Sequence, residues 1–236
     1  MSFLIGVRGD IDAALERDPA AKSSWEVALF YPGFHARLFH RFAHVLDRAG
    51  VPLIPRGIMH VARSLTGIEI HPGASIGPRF FIDHGMGVVI GETTEIGENV
   101  VLYQGVTLGG TSTRRVKRHP TLEDGVVVGA GAKVIGAVVI GEGAQIGAGS
   151  VVVTNVPPNA TVVGIPGHIV SFHDDSNGVL QRLPDPEWER INELDQRVQE
   201  LCEMVEHVED HMDSLHEEQH NGRLVSAGPG DDGSSD

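Results

Sequence analysis

The sequence feature that most constrains this chain is a six-residue period of aliphatic side chains between residues 70 and 152. Within three phased groups, every sixth position is Ile, Leu or Val: Ile70, Ile76, Ile82; Ile90, Ile96, Leu102, Leu108; Leu122, Val128, Val134, Ile140, Ile146, Val152. Glycine, or a small or acidic residue, follows most of these positions. A hexapeptide period with one inward aliphatic residue per repeat predicts a parallel β-helix, in which each repeat forms one flat side of a coil.

The period slips at two places. Ile82 and Ile90 are eight residues apart instead of six, and Leu108 and Leu122 are fourteen apart instead of twelve. The first slip contains Asp83 and His84, and the second contains the basic stretch RRVKRHP at residues 114–120. Loops that leave a rigid scaffold commonly carry binding and catalytic groups. We therefore expect the functional side chains at the two slips.

Different patterns flank the repeat. Apolar residues at helical spacing over residues 1–66, punctuated by proline and by a Gly-Val-Pro turn, predict an α-helical domain. The β-helix is predicted over residues 67–172. Residues 173–236 are predicted to hold a linker, a coiled-coil helix and a disordered acidic tail. The helical domain's apolar positions are Ile11, Leu15, Val27, Leu29, Leu38, Phe42, Val45 and Leu46. The coiled-coil seam comprises Ile191, Leu194, Val198, Leu201, Val205, Val208, Met212 and Leu215.

The net charge of −14 lies entirely in the last segment of the chain. Residues 1–173 hold 14 acidic and 14 basic residues, whereas residues 174–236 hold 18 and 4. This distribution argues against nucleic acid as a partner. The first residues are too short for a signal sequence and no apolar run is long enough to span a membrane, so a cytoplasmic location is predicted. A single cysteine, Cys202, excludes an internal disulfide.

His84 is a candidate general base because an imidazole titrates near neutral pH. A carboxylate would fix its tautomer, and Glu69 lies fifteen residues earlier, close to one coil of about eighteen residues. The two side chains could therefore meet on adjacent coils. The alternative is that Glu69 ends the first coil and His84 only fills a turn, and the spacing leaves both interpretations open.

Two other chemistries find no support in the residues. A serine hydrolase would need a Gly-x-Ser-x-Gly turn, which the sequence lacks. Zinc carbonic anhydrases built on hexapeptide coils use a His-x4-His pair with a third histidine, whereas His71, His84 and His119 have no such spacing. We predict no metal. The spaced pair His207 and His211 is expected to lie on a solvated helix face.

Several segments together carry a family resemblance. They are RDPAA and YPGFHARLFHRFAH in the helical part, and GIEIHPGASIG, FFIDHGMGVVIGET, QGVTLGGT, KRHPTLEDGV, GAGAKVIG, IGAGSVVVTNVPP and VVGIPG in the repeat. Over about residues 8–172 the chain resembles the serine O-acetyltransferases of the short bacterial type. The resemblance implies a left-handed β-helix, a homotrimer, and acetyl transfer from the co-substrate acetyl-CoA to L-serine as the first step of cysteine biosynthesis.

The resemblance also implies roles for individual residues. His84 matches the general base and Glu69 its orienting carboxylate. Asp18 and Asp83 match the carboxylates that hold the substrate ammonium, and Arg118 with His119 matches the pair that receives the substrate carboxylate. L-Cysteine, with the same charged ends, is expected to compete with L-serine. The positions that match the CoA channel are Gly109, Gly110, Thr111, Ala130, Lys133 and Ala148.

Departures from the long form of this family shape the remaining expectations. This chain ends in Asp236 and not in the isoleucine that enters O-acetylserine sulfhydrylase, so no tight complex with that enzyme is expected. The C-terminal helix is expected to add self-association beyond the trimer. Two alternatives stay open: a hexapeptide acetyltransferase for homoserine or a sugar, and a catalytically silent scaffold. The charged groups at the slips disfavour both a neutral sugar and a silent scaffold.

Overall fold

A computed structural model describes residues 3–174, 179–182, 190–191 and 193–208. The chain divides into two units, Met1–Leu183 and Pro184–Asp236. The three-part domain division made from the sequence stays a prediction. The helices of the first unit are α1 (Phe3–Arg17), α2 (Ser24–Phe30), α3 (Pro32–Arg48) and α4 (Ile54–Thr66).

Short strands follow the helices and wind into a prism with three sides. The first coils contain β1 (Glu69–Ile70), β2 (Ser75–Ile76), β3 (Phe81–Ile82), β4 (Val89–Ile90), β5 (Glu95–Ile96), β6 (Val101–Leu102), β7 (Thr107–Gly109) and β8 (Thr121–Leu122). The later coils contain β9 (Val127–Val128), β10 (Lys133–Ile135), β11 (Val139–Ile140), β12 (Gln145–Ile146), β13 (Val151–Val152) and β14 (Ala160–Val163). The last strands are β15 (His168–Asp174) and β16 (Val179–Arg182).

From β1 to β13 the strands of each sheet are three positions apart in the chain and pair in parallel, which is the topology of a β-helix, and β12 then pairs in parallel with β14. The first sheet has the order β1-β4-β7-β10-β13, the second β11-β8-β5-β2, and the third β16-β15-β14-β12-β9-β6-β3. Only β14, β15 and β16 pair antiparallel among the described strands, and they end the prism. The left-handed parallel β-helix with a helical N-terminal part confirms the predicted fold class.

The predicted inward positions form the core of the prism. Ile70, Ile90, Leu108, Val134 and Val152 stack along the first sheet, and none is more than 1% exposed. Burying one such side chain contributes about 1.5–3 kcal/mol. Twelve of the thirteen periodic positions are buried in this described region, and Ile76 packs on the core with partial exposure.

Local signals set the helix ends. The Ser23 hydroxyl caps α2 by accepting the Glu26 N–H at 3.2 Å, and Pro32 begins α3. α4 ends at Gly67, whose φ of 72° is left-handed and favours glycine. The helices confirm the helical prediction. Their packing differs from expectation, because Val27 is buried whereas Leu29 and Val45 are at least 60% exposed in the single chain.

A buried ionic network joins the helices to the first coil. Arg37 of α3 donates from Nη2 to the carbonyl oxygens of Ile76 and Gly77, at 2.8 and 3.1 Å. Its Nη1 lies 3.0 Å from Nδ1 of His40, and the neighbouring Arg41 donates to Asp10 Oδ2 at 2.6 Å. Burial, with a contribution from Arg37, holds the pKa of His40 well below its usual range. His40 is therefore neutral in the folded protein.

In the second unit, residues 190–191 and 193–208 are helical. Ile191, Leu194, Val198, Leu201 and Val205 of the predicted seam are each more than half exposed in the single chain. The described part confirms a helix here, and its pairing with other copies stays a prediction. Met212, Leu215, His211 and the predicted disordered tail lie outside the described residues. No helix in the described ranges is both long and apolar enough to cross a membrane.

Candidate active site

The first slip in the period is a loop between β3 and β4 that carries His84 outward. The backbone has positive φ at His84 (58°), Gly85 (85°) and Gly87 (75°). Positive φ is uncommon for a residue with a Cβ, although histidine adopts it more readily than most. The Gly87 N–H donates to the Gly67 carbonyl oxygen at 2.9 Å and anchors the loop. Two added residues thus place an exposed histidine on a fixed support.

Asp18, Tyr31, Asp83 and His84 form what we call the entry cluster, because they lie where the strands of the first sheet begin. The Tyr31 hydroxyl donates to Asp18 Oδ2 at 2.5 Å, and the Ala20 N–H donates to Asp18 Oδ1 at 2.8 Å. The Tyr31 hydrogen bond, with a smaller contribution from His84, lowers the pKa of Asp18. The same bond raises the pKa of Tyr31 to about 12, and Asp83 adds to the effect.

Glu69 lies in β1, beside the loop that carries His84. Its N–H donates to the Val88 carbonyl oxygen at 2.9 Å, and it pairs in register with Val89. Its carboxylate Oε2 lies 3.0 Å from Arg63 Nη1. The backbone therefore brings Glu69 to the loop, and the contact between Glu69 and His84 stays a prediction.

Glu92, Thr93, Arg118 and His119 form the exit cluster, where the strands of the first sheet end. The Thr93 hydroxyl oxygen accepts the backbone N–H groups of Arg118 and His119 at 3.0 and 3.1 Å. Lys117 donates from Nζ to the Thr93 carbonyl oxygen at 2.7 Å. The coil that follows β4 thus holds the end of the loop at the second slip in place. The spacing of the sequence alone does not indicate these contacts.

The hydrogen bonds of His119 determine its tautomer. Its Nδ1 accepts the Thr93 backbone N–H at 3.2 Å and lies 2.9 Å from the Thr93 hydroxyl. The proton of the neutral ring is therefore on Nε2. Burial, and then the Arg118 charge, lower the pKa of His119, so the ring is neutral near pH 7. The ring covers Gly91, where a Cβ would lie 2.0 Å from His119 Cδ2.

Arg118 is held by a carboxylate of the same cluster. Its Nη2 donates to Glu92 Oε2 at 2.5 Å, and this bond lowers the pKa of Glu92. A guanidinium has five N–H donors, so this contact leaves other donors of Arg118 for a ligand. Burial and the nearby Arg56 lower the pKa of His71, whose ring lies next to this cluster.

The residues predicted to bind CoA flank the same sheet. Gly109 ends β7, and its carbonyl oxygen accepts the Gly136 N–H at 2.9 Å. Ala130 and Ala148 occupy successive corners at the other edge, where the Ala130 carbonyl oxygen accepts the Gly149 N–H at 2.8 Å. Lys133 begins β10 and donates to the Gly105 carbonyl oxygen. Gly110 and Thr111 follow β7.

The structure adds three residues to the two clusters that the sequence did not indicate: Tyr31, Glu92 and Thr93. Each lies within a segment that carried the family resemblance, but nothing in their spacing connects them to Asp18, Arg118 or His119. Within the described residues, no group of three His, Cys, Asp or Glu side chains is placed to hold a metal ion.

A β-helix of hexapeptide coils with charged clusters at two loops is typical of the hexapeptide-repeat transferases. The family described as bacterial transferase hexapeptide (six repeats) matches residues 119–154, which identifies this part of the chain as a hexapeptide-repeat transferase. The family described as serine acetyltransferase, N-terminal, matches residues 2–37.

Three individual relatives are all serine acetyltransferases. A serine acetyltransferase of Bacillus licheniformis is 52% identical over 204 residues, covering 84% of this chain and 94% of the relative. The Neisseria gonorrhoeae serine acetyltransferase, solved in complex with serine, is 41% identical with a TM-score of 0.68, covering 70% of this chain and 68% of that one. A serine acetyltransferase in complex with cysteine is 39% identical with a TM-score of 0.70, covering 71% and 70%. The chain belongs to the serine acetyltransferase family and is an acyltransferase enzyme.

Proposed function

We propose that the protein transfers the acetyl group of acetyl-CoA to the hydroxyl of L-serine, giving O-acetyl-L-serine and CoA. The product would be committed to cysteine biosynthesis. The observation that carries this proposal is the entry cluster, in which an exposed histidine stands beside Asp18 and Asp83. A base next to two carboxylates suits a substrate that carries both a hydroxyl and an ammonium group.

His84 acts as the general base. Its imidazole removes the hydroxyl proton of serine as the oxygen attacks the thioester carbonyl carbon, forming the new C–O bond. The resulting imidazolium, stabilised by Glu69, returns that proton to the CoA sulfur as the C–S bond breaks. Backbone N–H groups of the Gly109-Gly110 region stabilise the oxyanion of the tetrahedral intermediate. His84 both accepts the proton and returns it, so the reaction requires no other general acid.

The two clusters divide the recognition of serine. Asp18 and Asp83 bind the ammonium group, while Arg118 and the Nε2–H of His119 bind the carboxylate. Glu92 holds the Arg118 guanidinium in place, as the 2.5 Å contact supports. CoA would lie along the first sheet, past the small residues Ala130 and Ala148 and near Thr111, Gly110 and Lys133.

The two clusters lie at opposite ends of the strands of one sheet, which bears on assembly. We propose that a complete site combines the entry cluster of one subunit with the exit cluster of the next, within a homotrimer. The exposed seam of residues 191–208 supports additional self-association through the C-terminal helix. The expected absence of a tight complex with O-acetylserine sulfhydrylase and the cytoplasmic location stay predictions.

A substrate comparison tests the proposed activity. CoA release is measured with acetyl-CoA and L-serine, L-homoserine, a galactoside or maltose as acceptor, with the His84→Ala variant as the background. We expect release with L-serine well above the other acceptors, and inhibition by L-cysteine that is competitive with L-serine. Preference for homoserine or a sugar would identify the alternative enzyme, and release with none of them would indicate a scaffold protein.

A further inference from the structure

The carboxylate assigned to orient His84 has a partner that the proposed mechanism does not use. Arg63 Nη1 lies 3.0 Å from Glu69 Oε2, in the last turn of α4. We propose that Arg63 is a positioning residue for the reaction, which fixes the Glu69 carboxylate in the orientation that meets His84. The inference rests on the proposed function, in which Glu69 orients the base.

Glu69 needs such a partner because its side chain is long and half-exposed. A glutamate has three rotatable bonds and loses considerable conformational freedom when it is held in one geometry. A guanidinium at ion-pair distance restricts a carboxylate through the attraction between the two charges. Arg63 occupies Oε2, and a carboxylate has two oxygens that accept hydrogen bonds. Oε1 can therefore receive the imidazole N–H of His84 while Arg63 retains Oε2.

The backbone around this pair is already fixed, so the side chains are the remaining freedom. The Thr66 hydroxyl donates to the Ala62 carbonyl oxygen at 2.7 Å and accepts the Ile68 N–H at 3.2 Å. The Gly67 N–H donates to the Arg63 carbonyl oxygen at 2.8 Å and ends α4. The Gly67 carbonyl oxygen and the Glu69 N–H also hold the loop of His84. The end of α4, the strand β1 and the loop of His84 are thus held together by backbone hydrogen bonds. On this support, Arg63 orients the Glu69 carboxylate.

The pair has little to contribute as a stabilising contact, because both side chains are about half-exposed and exposed ion pairs are weak. Losing it should leave folding intact and change turnover. This separates a positioning role from a purely structural one.

The first test compares Arg63→Gln, Arg63→Lys and the wild type. We expect Arg63→Gln to lower kcat about tenfold through the loss of the ion pair that orients Glu69, with the KM for serine within about twofold. Arg63→Lys keeps a charged donor and should recover most of the rate. The matched control is Arg8→Gln, which removes another exposed arginine paired with a carboxylate, Asp12, in α1. Its kinetics should equal those of the wild type.

A double-mutant cycle then asks whether Arg63 acts through Glu69. If it does, Arg63→Gln combined with Glu69→Gln should have the kcat of Glu69→Gln alone, within about twofold. Multiplied losses in the double variant would overturn the inference, as would a wild-type kcat for Arg63→Gln. A loss that follows a lower melting temperature and is not recovered by Arg63→Lys would also overturn it. A wild-type rate in Glu69→Gln would instead contradict the proposed function of Glu69 itself.

Discussion

The chemistry of His84 begins with its backbone. A φ of 58° at a residue with a Cβ, followed by Gly85, turns the imidazole out of the coil without lengthening the neighbouring strands. Alanine removes the base but adopts a positive φ less readily than histidine, so a small loss of stability accompanies the replacement. We expect His84→Ala to lower kcat about 10²–10⁴-fold with only a slightly lower melting temperature, as measured by steady-state CoA release and thermal unfolding. Turnover close to that of the wild type would contradict the mechanism.

Tyr31 acts on the substrate through Asp18. The Tyr31 hydroxyl lowers the pKa of Asp18, so in Tyr31→Phe that pKa should move up toward its ordinary value of 3.8. Asp18 would also lose one of the two hydrogen bonds that orient it, keeping the one from the Ala20 N–H. We expect the KM for serine to rise about 3–10-fold while the KM for acetyl-CoA stays unchanged, since only the ammonium contact is affected.

The control for this substitution is Tyr103→Phe, which removes the hydroxyl of the chain's other tyrosine and leaves Asp18 with its partner. Both variants are compared by initial rates with each substrate varied in turn. Equal changes in both KM values for Tyr31→Phe would show that the hydroxyl supports the whole loop region and not the ammonium site.

At the scale of elements, the hexapeptide period predicted the prism correctly because its information is local. Each of Ile70, Ile90 and Leu108 is buried by its own coil, and stacking repeats the same contact. The pair Glu92–Arg118 joins residues 26 positions apart on different coils, and no local pattern encodes that register.

The exposed helix faces show the same limit. The spacing of Leu29 and Val45 predicts helices with apolar residues, but it does not say which side packs on the first coil. That choice depends on contacts between residues far apart in the chain, such as those of Asp10, Arg37 and Arg41, which the spacing within one helix does not encode.

This network makes the attachment of α3 sensitive to acid. The pKa of His40 lies well below its usual range in the folded protein, so below about pH 6.5 the unfolded chain takes up a proton that the folded one does not. The free energy of unfolding is therefore not reduced by His40 above that pH. Below it, the free energy of unfolding falls as the pH decreases, by up to about 1.4 kcal/mol per pH unit for this group. His71 and His119, with lowered pKa values, act in the same direction.

Urea unfolding at a fixed protein concentration measures the effect. We expect a lower midpoint at pH 5.5 than at pH 7, and a smaller difference in His40→Gln, whose side chain does not titrate. Equal midpoints at the two pH values in the wild type would show that His40 is protonated without cost in the folded state.

At the scale of the whole molecule, the exposed seam of the C-terminal helix predicts self-association. Its apolar side chains are more than half exposed in the single chain and are expected to pack on other copies. Deleting residues 184–236 should lower the mass in solution, measured by light scattering, while serine acetyltransferase activity is retained. The full-length chain is the control. An unchanged mass would indicate that the seam does not join copies.

The separation of His84 and His119 to opposite ends of one sheet has a consequence in genetics. If neighbouring subunits share each site, a gene encoding His84→Ala and a gene encoding His119→Ala each specify an inactive enzyme. Each mixed trimer would nevertheless contain one interface that takes an intact His84 from one allele and an intact His119 from the other, so that about a quarter of all interfaces would be intact on random assembly. Two defective alleles should then complement each other in a single cell, because the active site would belong to the trimer and not to one subunit.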